Sequence, residues 1–278
     1  MFRGKRGTRR VDCFRYPLCM TSQPPLPAGV TEVTESRSGP LDALVHPAWA
    51  SLPWVVQGST TRRGSRDFDL GLFSSGNPEE VVRANWAELA TGARCRTVVH
   101  ARQVHRADVH VVDGSRAPGR GRGGPAVVPD LLEPADGHVT DRADVLLAVT
   151  TADCVPVFLL DARARAVGAV HAGWRGAAAG ILERAVGVMA AAYGTSAADL
   201  QLHLGPAICG SCYEVGPEVF EALGEPAPDA PTPIDVRAAL ARRAVGLGVA
   251  PEDVTVSSHC TRCTGSDLYS HRGGDAQR

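Results

Sequence analysis

Lysine is nearly missing from this chain. Of its 29 basic residues only Lys5 is a lysine, and it lies in a stretch with no helical or strand period. Walker-type phosphate lysines, Schiff-base lysines and pyridoxal-phosphate lysines are therefore excluded. Any phosphate or carboxylate must be met by arginine, backbone amides or a metal. A long apolar run is also missing: no window approaches 18 consecutive apolar residues, so no membrane-spanning helix is expected. The first 20 residues are basic, but no apolar segment follows them, so Arg9-Arg10 lacks the setting of a twin-arginine signal. An excess of one charge is missing too. The 29 basic residues face 30 acidic ones, leaving a formal charge of −1. That argues against nucleic acid or a membrane surface as partner, though not against a local basic pocket.

The chain has 278 residues, 44% of them hydrophobic, with 30 glycines and 20 prolines. This is long enough for a sizeable core and below the Gly/Pro content of low-complexity disorder. Eight cysteines stand at 13, 19, 95, 154, 209, 212, 260 and 263. In a chain this long without a secretory signal they read as free thiols or metal ligands, and the protein as cytoplasmic.

Residues 1–48 are rich in Arg, Pro, Ser and Thr and show no sustained period, so a disordered or loosely attached leader is expected there. Met20 is a second candidate start. Residues 49–278 read as a single globular domain. Val55–Thr61 reads as a strand, and Asn77-Pro78 as a helix entry with Asn as N-cap. Val81, Val82, Asn85, Trp86 and Leu89 follow at helical spacing. Two short strands, 96–102 and 108–113, flank Gln103-Val104-His105. Residues 114–134 read as a loop. Its Gly119-Arg-Gly-Arg-Gly-Gly124 looks like a dinucleotide fingerprint, but no helix pattern follows it. Strands are expected at 145–151, 154–160 and 166–171, then an Ala-rich helix over 177–193 bounded by Gly194. Strand, helix, helix and strand follow at 200–204, 215–223, 234–246 and 254–257. Several strands succeed one another without a helix. The expected class is α/β with α+β character: a mixed sheet sandwich flanked by helices.

Three soft or borderline donors sit where the chain leaves a strand: His105, Cys154 and His171. A His₂Cys set suits Zn²⁺ and leaves a fourth tetrahedral position for water, as in catalytic rather than structural zinc. Spacing alone does not make the three meet. Each has a plain alternative as a core residue or a surface hydrogen-bonding group. Asp153 adds a carboxylate that orients a ligand or takes a proton. In His171-Ala-Gly-Trp-Arg-Gly176 two glycines allow close backbone approach, a helix start attracts anions, and Arg175 offers a planar fork for phosphate or carboxylate. Arg62, in Thr61-Arg62-Arg63-Gly64, places further guanidinium near a strand end.

These segments resemble the YfiH family, also called the multicopper polyphenol oxidoreductase (laccase-like) or peptidoglycan editing factor family. The resemblance runs from about Val55 to the C-terminus. It rests on Gln103-Val-His105, Thr151-Ala-Asp-Cys-Val-Pro156 with Leu159-Leu-Asp161, and His171-Ala-Gly-Trp-Arg-Gly176. Gly205-Pro-Ala-Ile208, Cys212-Tyr-Glu-Val-Gly216, Cys260-Thr261 and Ser270 extend it. It implies a mixed α/β sandwich shared with cytotoxic necrotising factor-like domains. It also implies purine nucleoside phosphorylase activity, with adenosine deaminase and methylthioadenosine phosphorylase activity beside it. It places zinc on His105, Cys154 and His171. The implied partners are purine nucleosides, with inorganic phosphate as co-substrate, on a monomer or homodimer. From spacing rather than from the resemblance, Asp153 and Arg175 are given catalytic roles beside Cys154, and Arg175 is read as binding substrate together with Arg62. The pattern is broken at Thr61-Arg62-Arg63-Gly64-Ser65, at Gly76-Asn77, at Asn85-Trp86 and at the C-terminal His271-Arg272 stretch. Those departures bear on Arg62 and the C-terminal arginines, not on the three donors.

Three other readings remain. Cys154 and His171 form a thiolate–imidazole pair in an amide hydrolase that edits peptidoglycan precursors. A partner-binding protein with a vestigial pocket is the second. A copper-dependent polyphenol oxidase is the least favoured, because no His-x-His pair occurs to build several copper centres. Cys209-x-x-Cys212 and Cys260-x-x-Cys263 have structural-zinc spacing. Cys212 and Cys260 already belong to the resemblance, so free thiols are preferred over a Cys₄ site or a redox pair.

Overall fold

The computed structural model describes residues 23–62, 67–73, 76–113, 129–263 and 265–275. The first 22 residues of the expected leader, the Gly119–Gly124 stretch and Arg63-Gly64-Ser65 lie outside the described residues.

A seven-stranded mixed sheet carries the architecture. In spatial order its strands are Thr31–Val33, Val254–Ser257, Leu200–Leu204, Val155–Asp161, Ala166–Ala172, Gly137–Thr140 and Val109–Val111. The four central strands, Leu200–Leu204 through Gly137–Thr140, pair antiparallel, and parallel pairs flank them on either side. Alternation along Val155–Asp161 sends Val155, Val157 and Leu159 into the main core. Helices Ile181–Tyr193 and Val236–Gly246 bury Ile181, Leu182, Ala185, Met189, Leu240 and Ala244 in that same core. Phe158 and Leu160, of opposite parity, meet Val145–Leu147 across a narrow cleft on the other side. Val145–Leu147 belongs to a second sheet, three-stranded and parallel, with Thr97–Ala101 at its centre and Asp130–Leu132 beyond. Helix Glu79–Ala93 packs Val82, Trp86 and Leu89 into a smaller core with Phe68, Leu70 and Val98. The α/β class with flanking helices is as expected.

Several local readings are corrected. Residues 23–48 are not a leader. Thr31–Val33 is an edge strand of the main sheet, Ser36–Ser38 pairs with Ala43–Val45, and Glu35 is buried. Three-residue strands are too short to show a period. Val55–Thr61 forms no strand; only Ser59 bridges to Leu44. Pro78, not Asn77, caps the first helix, and the Asn77 side chain donates to Asp69 instead. The strand expected over 145–151 stops at Leu147 and is half-buried. Asp130–Leu132 is a strand inside the expected loop. The Ala-rich helix is two, Trp174–Ala178 and Ile181–Tyr193, broken at Gly180 with φ of 82°. Gly194 terminates it at φ of 67°, a left-handed cap that glycine adopts without penalty.

Candidate metal centre

The antiparallel pairing of Val155–Asp161 with Ala166–Ala172 sets Val155 opposite Ala172. Cys154 enters the first strand and His171 is the last but one of the second, so both side chains arrive at the same end of two neighbouring central strands. His105 comes from the turn after Thr97–Ala101. That turn is held by one carboxylate: Asp136 accepts from the N–H groups of Val104 (3.1 Å), His105 (2.9 Å) and Arg106 (2.8 Å). It also pairs with Nδ1 of His171 at 2.9 Å. Gln103 ties the same turn to Thr150 by donating to its carbonyl and accepting from its N–H. Both His105 (φ 58°) and Asp153 (φ 91°) sit in left-handed backbone, which costs a non-glycine residue energy and clusters at functional sites.

The donor atoms of His105, Cys154 and His171 lie within 4.8 Å of one another. His105 is exposed, Cys154 half-buried and His171 buried, so the group opens to solvent on one side. Gly173 makes the approach possible. A Cβ there would come within 2.8 Å of Cys154 Sγ and 3.1 Å of a His105 ring carbon. Burial alone would raise the Cys154 thiol, but the charge of His171 and hydrogen bonds from both imidazoles outweigh it and bring the thiol down to about 6. Burial alone would lower His171, but the Cys154 thiolate and Asp136 push it up to about 9. Asp136 itself is held below the usual carboxylate range: burial opposes this, and His171 with the N–H groups of Arg106 and His105 overcomes it. Asp136 behind an imidazole is the outer-sphere carboxylate that fixes a metal-ligating histidine. One thiolate and two imidazoles, one of them oriented this way, fit a zinc ion.

Two clefts, each of about 390 Å³, open here, one on all three donors and the other on His105 and Cys154. One is lined by Phe73, His100, Arg102 and Gln103, the other by Asp153, Trp174, Arg175, Tyr213 and Arg272; His271 borders both. Arg175 stacks on Trp174 at 4.2 Å and Arg272 on Tyr213 at 4.8 Å. Asp153 is in the cleft, but both of its oxygens are engaged, by Thr261 Oγ1 and by the N–H of Arg272, each at 2.6 Å. It therefore fixes the C-terminal segment over the site. Arg62 lies elsewhere: it stacks on Tyr269 at 4.5 Å and pairs with Asp275. The helix behind Arg175 spans only Trp174–Ala178. Sequence reasoning passed over Asp136, while Tyr213 stood without a role inside Cys212-Tyr-Glu-Val-Gly216 and Arg272 inside the atypical C-terminal stretch. Ala135-Asp136-Gly137 carried the one available signal, an acidic residue directly before a strand.

The family described as multi-copper polyphenol oxidoreductase laccase matches residues 56–278. This chain belongs to that family. All three donors of this laccase-family chain fall inside the matched span. A purine nucleoside phosphorylase of Mycobacterium tuberculosis is 37% identical over 231 residues, 77% of this chain and 85% of that protein. Adenosine deaminase RL5, from an unknown prokaryotic organism, is 37% identical over 153 residues, 51% of this chain and 58% of its own length. The crystal structure of Bacillus licheniformis hypothetical protein YfiH shares the fold at a TM-score of 0.73 and 29% identity, covering 83% of this chain and 91% of that one.

Proposed function

We propose that this chain is a zinc-dependent purine nucleoside phosphorylase that also phosphorolyses methylthioadenosine and deaminates adenosine. The observation that carries the reading is the meeting of His105, Cys154 and His171 at one end of the central strands with Asp136 behind them. The names of its relatives supply the substrate class. His105, Cys154 and His171 would hold the zinc ion, which when bound supplies Lewis-acid charge and acidifies a water. In phosphorolysis a phosphate oxygen attacks C1′ of the ribose and the C1′–N9 bond breaks. Arg175 and Arg272, each stacked on an aromatic ring, present guanidinium groups to the phosphate along one cleft wall. Arg62 joins them only on release from Asp275. Tyr213, kept protonated by burial, offers a hydroxyl in the same cleft. Asp153 keeps Thr261 and Arg272 in place over the substrate. In deamination water attacks C6 of adenine and the amino group leaves as ammonia.

A second reading has its own observation. Without a metal, Cys154 and His171 form a thiolate–imidazolium pair, the arrangement of a nucleophilic amide hydrolase, and peptidoglycan precursors would then be the substrate. Metal ligation and nucleophilic attack compete for one sulfur, so metal content separates the two. Copper chemistry on polyphenols is less favoured. The described residues hold one His₂Cys group and one Cys₄ group, and no His-rich cluster that would build several copper centres. Among the described residues no helix is long and apolar enough to cross a membrane. We place the protein in the cytoplasm as a monomer or homodimer without nucleic acid or membrane partners.

The test is turnover of adenosine, inosine and methylthioadenosine, with and without phosphate, on protein of measured zinc content. Phosphate-dependent release of free purine base and phosphate-independent release of ammonia from adenosine are expected. Cys154→Ala is expected to lose both by at least two orders of magnitude with an unchanged circular dichroism spectrum. Rates unchanged in that variant overturn the reading.

A further inference from the structure

The two Cys-x-x-Cys pairs lie far from each other in sequence, but the fold brings them together. Leu200–Leu204 and Val254–Ser257 are parallel neighbours in the main sheet. Beyond their C-terminal ends Ala207 bridges to Cys260, which keeps the two exiting segments side by side. Gly210–Cys212 then forms a single 3-10 turn. The result is a group in which the sulfurs of Cys209, Cys212, Cys260 and Cys263 all lie within 4.8 Å of one another. Cys263 Sγ stands 3.9 Å from Cys209 Sγ and 3.9 Å from Cys212 Sγ. Four sulfurs at about 2.3 Å from one zinc ion in a tetrahedron are about 3.8 Å apart. A disulfide would require about 2.05 Å.

The surroundings suit a charged tetrathiolate. The N–H groups of Cys209 (3.3 Å) and Arg262 (3.4 Å) donate to Cys260 Sγ. The second of these comes from two residues downstream, so the chain curls around its own sulfur. Arg262 donates to the carbonyl of Cys212 at 2.8 Å and latches one knuckle to the other. Arg237, a buried guanidinium, donates to the carbonyls of Ser257 and His259 directly before Cys260, and its pairing with Asp235 at 2.7 Å leaves it fixed there. The Arg237 charge reaches Cys209 and Cys260 but is shared with Asp235, so the N–H groups aimed at the sulfurs carry the rest of the compensation for the net −2 charge of Zn²⁺ with four thiolates.

We propose that Cys209, Cys212, Cys260 and Cys263 form a second, structural zinc site, which clamps the two segments that support the candidate active site. The link is short. Ile208, next to Cys209, donates its N–H to the Asp153 carbonyl at 3.1 Å, and Thr261, next to Cys260, donates its hydroxyl to the Asp153 carboxylate at 2.6 Å. Asp153 adjoins Cys154. A closed Cys₄ set has no open position, so this ion takes no part in the chemistry. Cys263 is also disulfide-bonded in this structure, and zinc binding requires that bond to be reduced. Two low-molecular-weight thiols supply the two electrons and two protons and leave as their own disulfide. The released cysteine then loses its proton on binding the ion.

The experiment is a zinc count on full-length protein purified under thiol reductant without chelator, for the wild type and for Cys154→Ala, Cys209→Ser and Cys263→Ser. Two zinc ions per chain are expected for the wild type and one for each variant. Cys154→Ala removes only the first site, so the ion it retains is the proposed one. Cobalt(II) substitution of that variant is expected to give the intense thiolate-to-cobalt charge-transfer absorption of four sulfurs. If the serine variants do not fold, Cys154→Ala decides alone. A Cys154→Ala protein with no metal, with iron in place of zinc, or with a cobalt spectrum lacking four-thiolate character overturns the proposal. So does a Cys209→Ser protein that keeps two ions, or a Cys263 disulfide that survives reductant in the folded protein.

Discussion

Asp136 gathers more of the candidate centre than any other residue. Its two oxygens serve three N–H groups of the His105 turn and Nδ1 of His171 at once. In Asp136→Asn one of those oxygens becomes an amide NH₂, which faces donors it cannot accept from. The imidazole also loses its orienting carboxylate. Metal affinity is expected to fall 10–100-fold, as for other such partners of ligating histidines. Competition with a chelator measures it, and a wild-type affinity would count against Asp136 as the organising group. Gly173→Ala tests the neighbouring constraint. A methyl 2.8 Å from Cys154 Sγ cannot be accommodated without moving a donor. Loss of the ion from this centre is expected, with a thermal stability matching that of metal-free wild type, because the strand and helix on either side are untouched. The three donors were legible in the sequence because a histidine or cysteine at a strand end is conspicuous and each stood in a motif. Asp136 was not, because its role depends on strand Gly137–Thr140 lying beside Ala166–Ala172, a pairing of distant segments.

At the scale of elements, the edge strand Thr31–Val33 shows what period-based reading loses. Its chain continues into Glu35, whose carboxylate accepts from Ser257 Oγ at 2.8 Å and pairs with His203 Nε2 at 3.0 Å, all buried. Burial would raise this carboxyl, but the hydrogen bond and charge of His203 hold it below the usual range. Glu35→Ala leaves His203 and Ser257 without that acceptor inside the fold. A cost of about 3–5 kcal/mol is expected, the range for breaking a buried pair. Truncation at residue 49, harmless if the segment were a leader, is expected to destabilise at least as much. Urea unfolding of both proteins measures this; a truncated chain as stable as the full one would remove the strand from the fold's account. The longer elements were legible because a continuous apolar run marks a strand buried on both faces, as in Val155–Asp161, and burial on one face imposes a helical period, as in Ile181–Tyr193. Three-residue strands carry no such signature, and the Ala-rich helix looked continuous because only the positive φ of Gly180 breaks it.

Over the whole molecule, three buried histidines set how the fold meets acid. Burial, with the neighbouring His203 charge, brings His46 down to about 4. Burial likewise brings His100 to about 4, and burial with the charges of His100 and His110 brings His138 to about 3. Neither ring nitrogen of His138 has a hydrogen-bond partner among the described residues, so its charged form gains nothing to offset desolvation. In the unfolded chain each titrates near 6.5. All three are neutral in both states above that value, and their stabilising contribution is complete there. As the pH falls from about 6.5 towards 4, the unfolded chain takes up protons that the folded protein refuses, and stability drops. The loss is on the order of 1 kcal/mol per pH unit for each histidine. Glu35 and Asp136, both held low, extend the loss to still lower pH, since they too must be protonated as the fold opens. The Cys154–His171 pair adds two opposed slopes to metal-free protein: the raised imidazole loses its contribution as pH rises towards 9, and the lowered thiol loses its own as pH falls towards 6. Between about 6.5 and 9 these two slopes largely cancel, so metal-free protein is the sample to measure; bound zinc would add the proton release of its own binding. Urea midpoints at pH 7.5, 6.0 and 5.0 are expected to fall steadily. His138→Phe, which fills the same site without a titratable group, is expected to flatten the profile by about one proton's worth of slope. A wild-type midpoint constant from pH 7.5 to 5.0 would show that these histidines take up protons in the folded state.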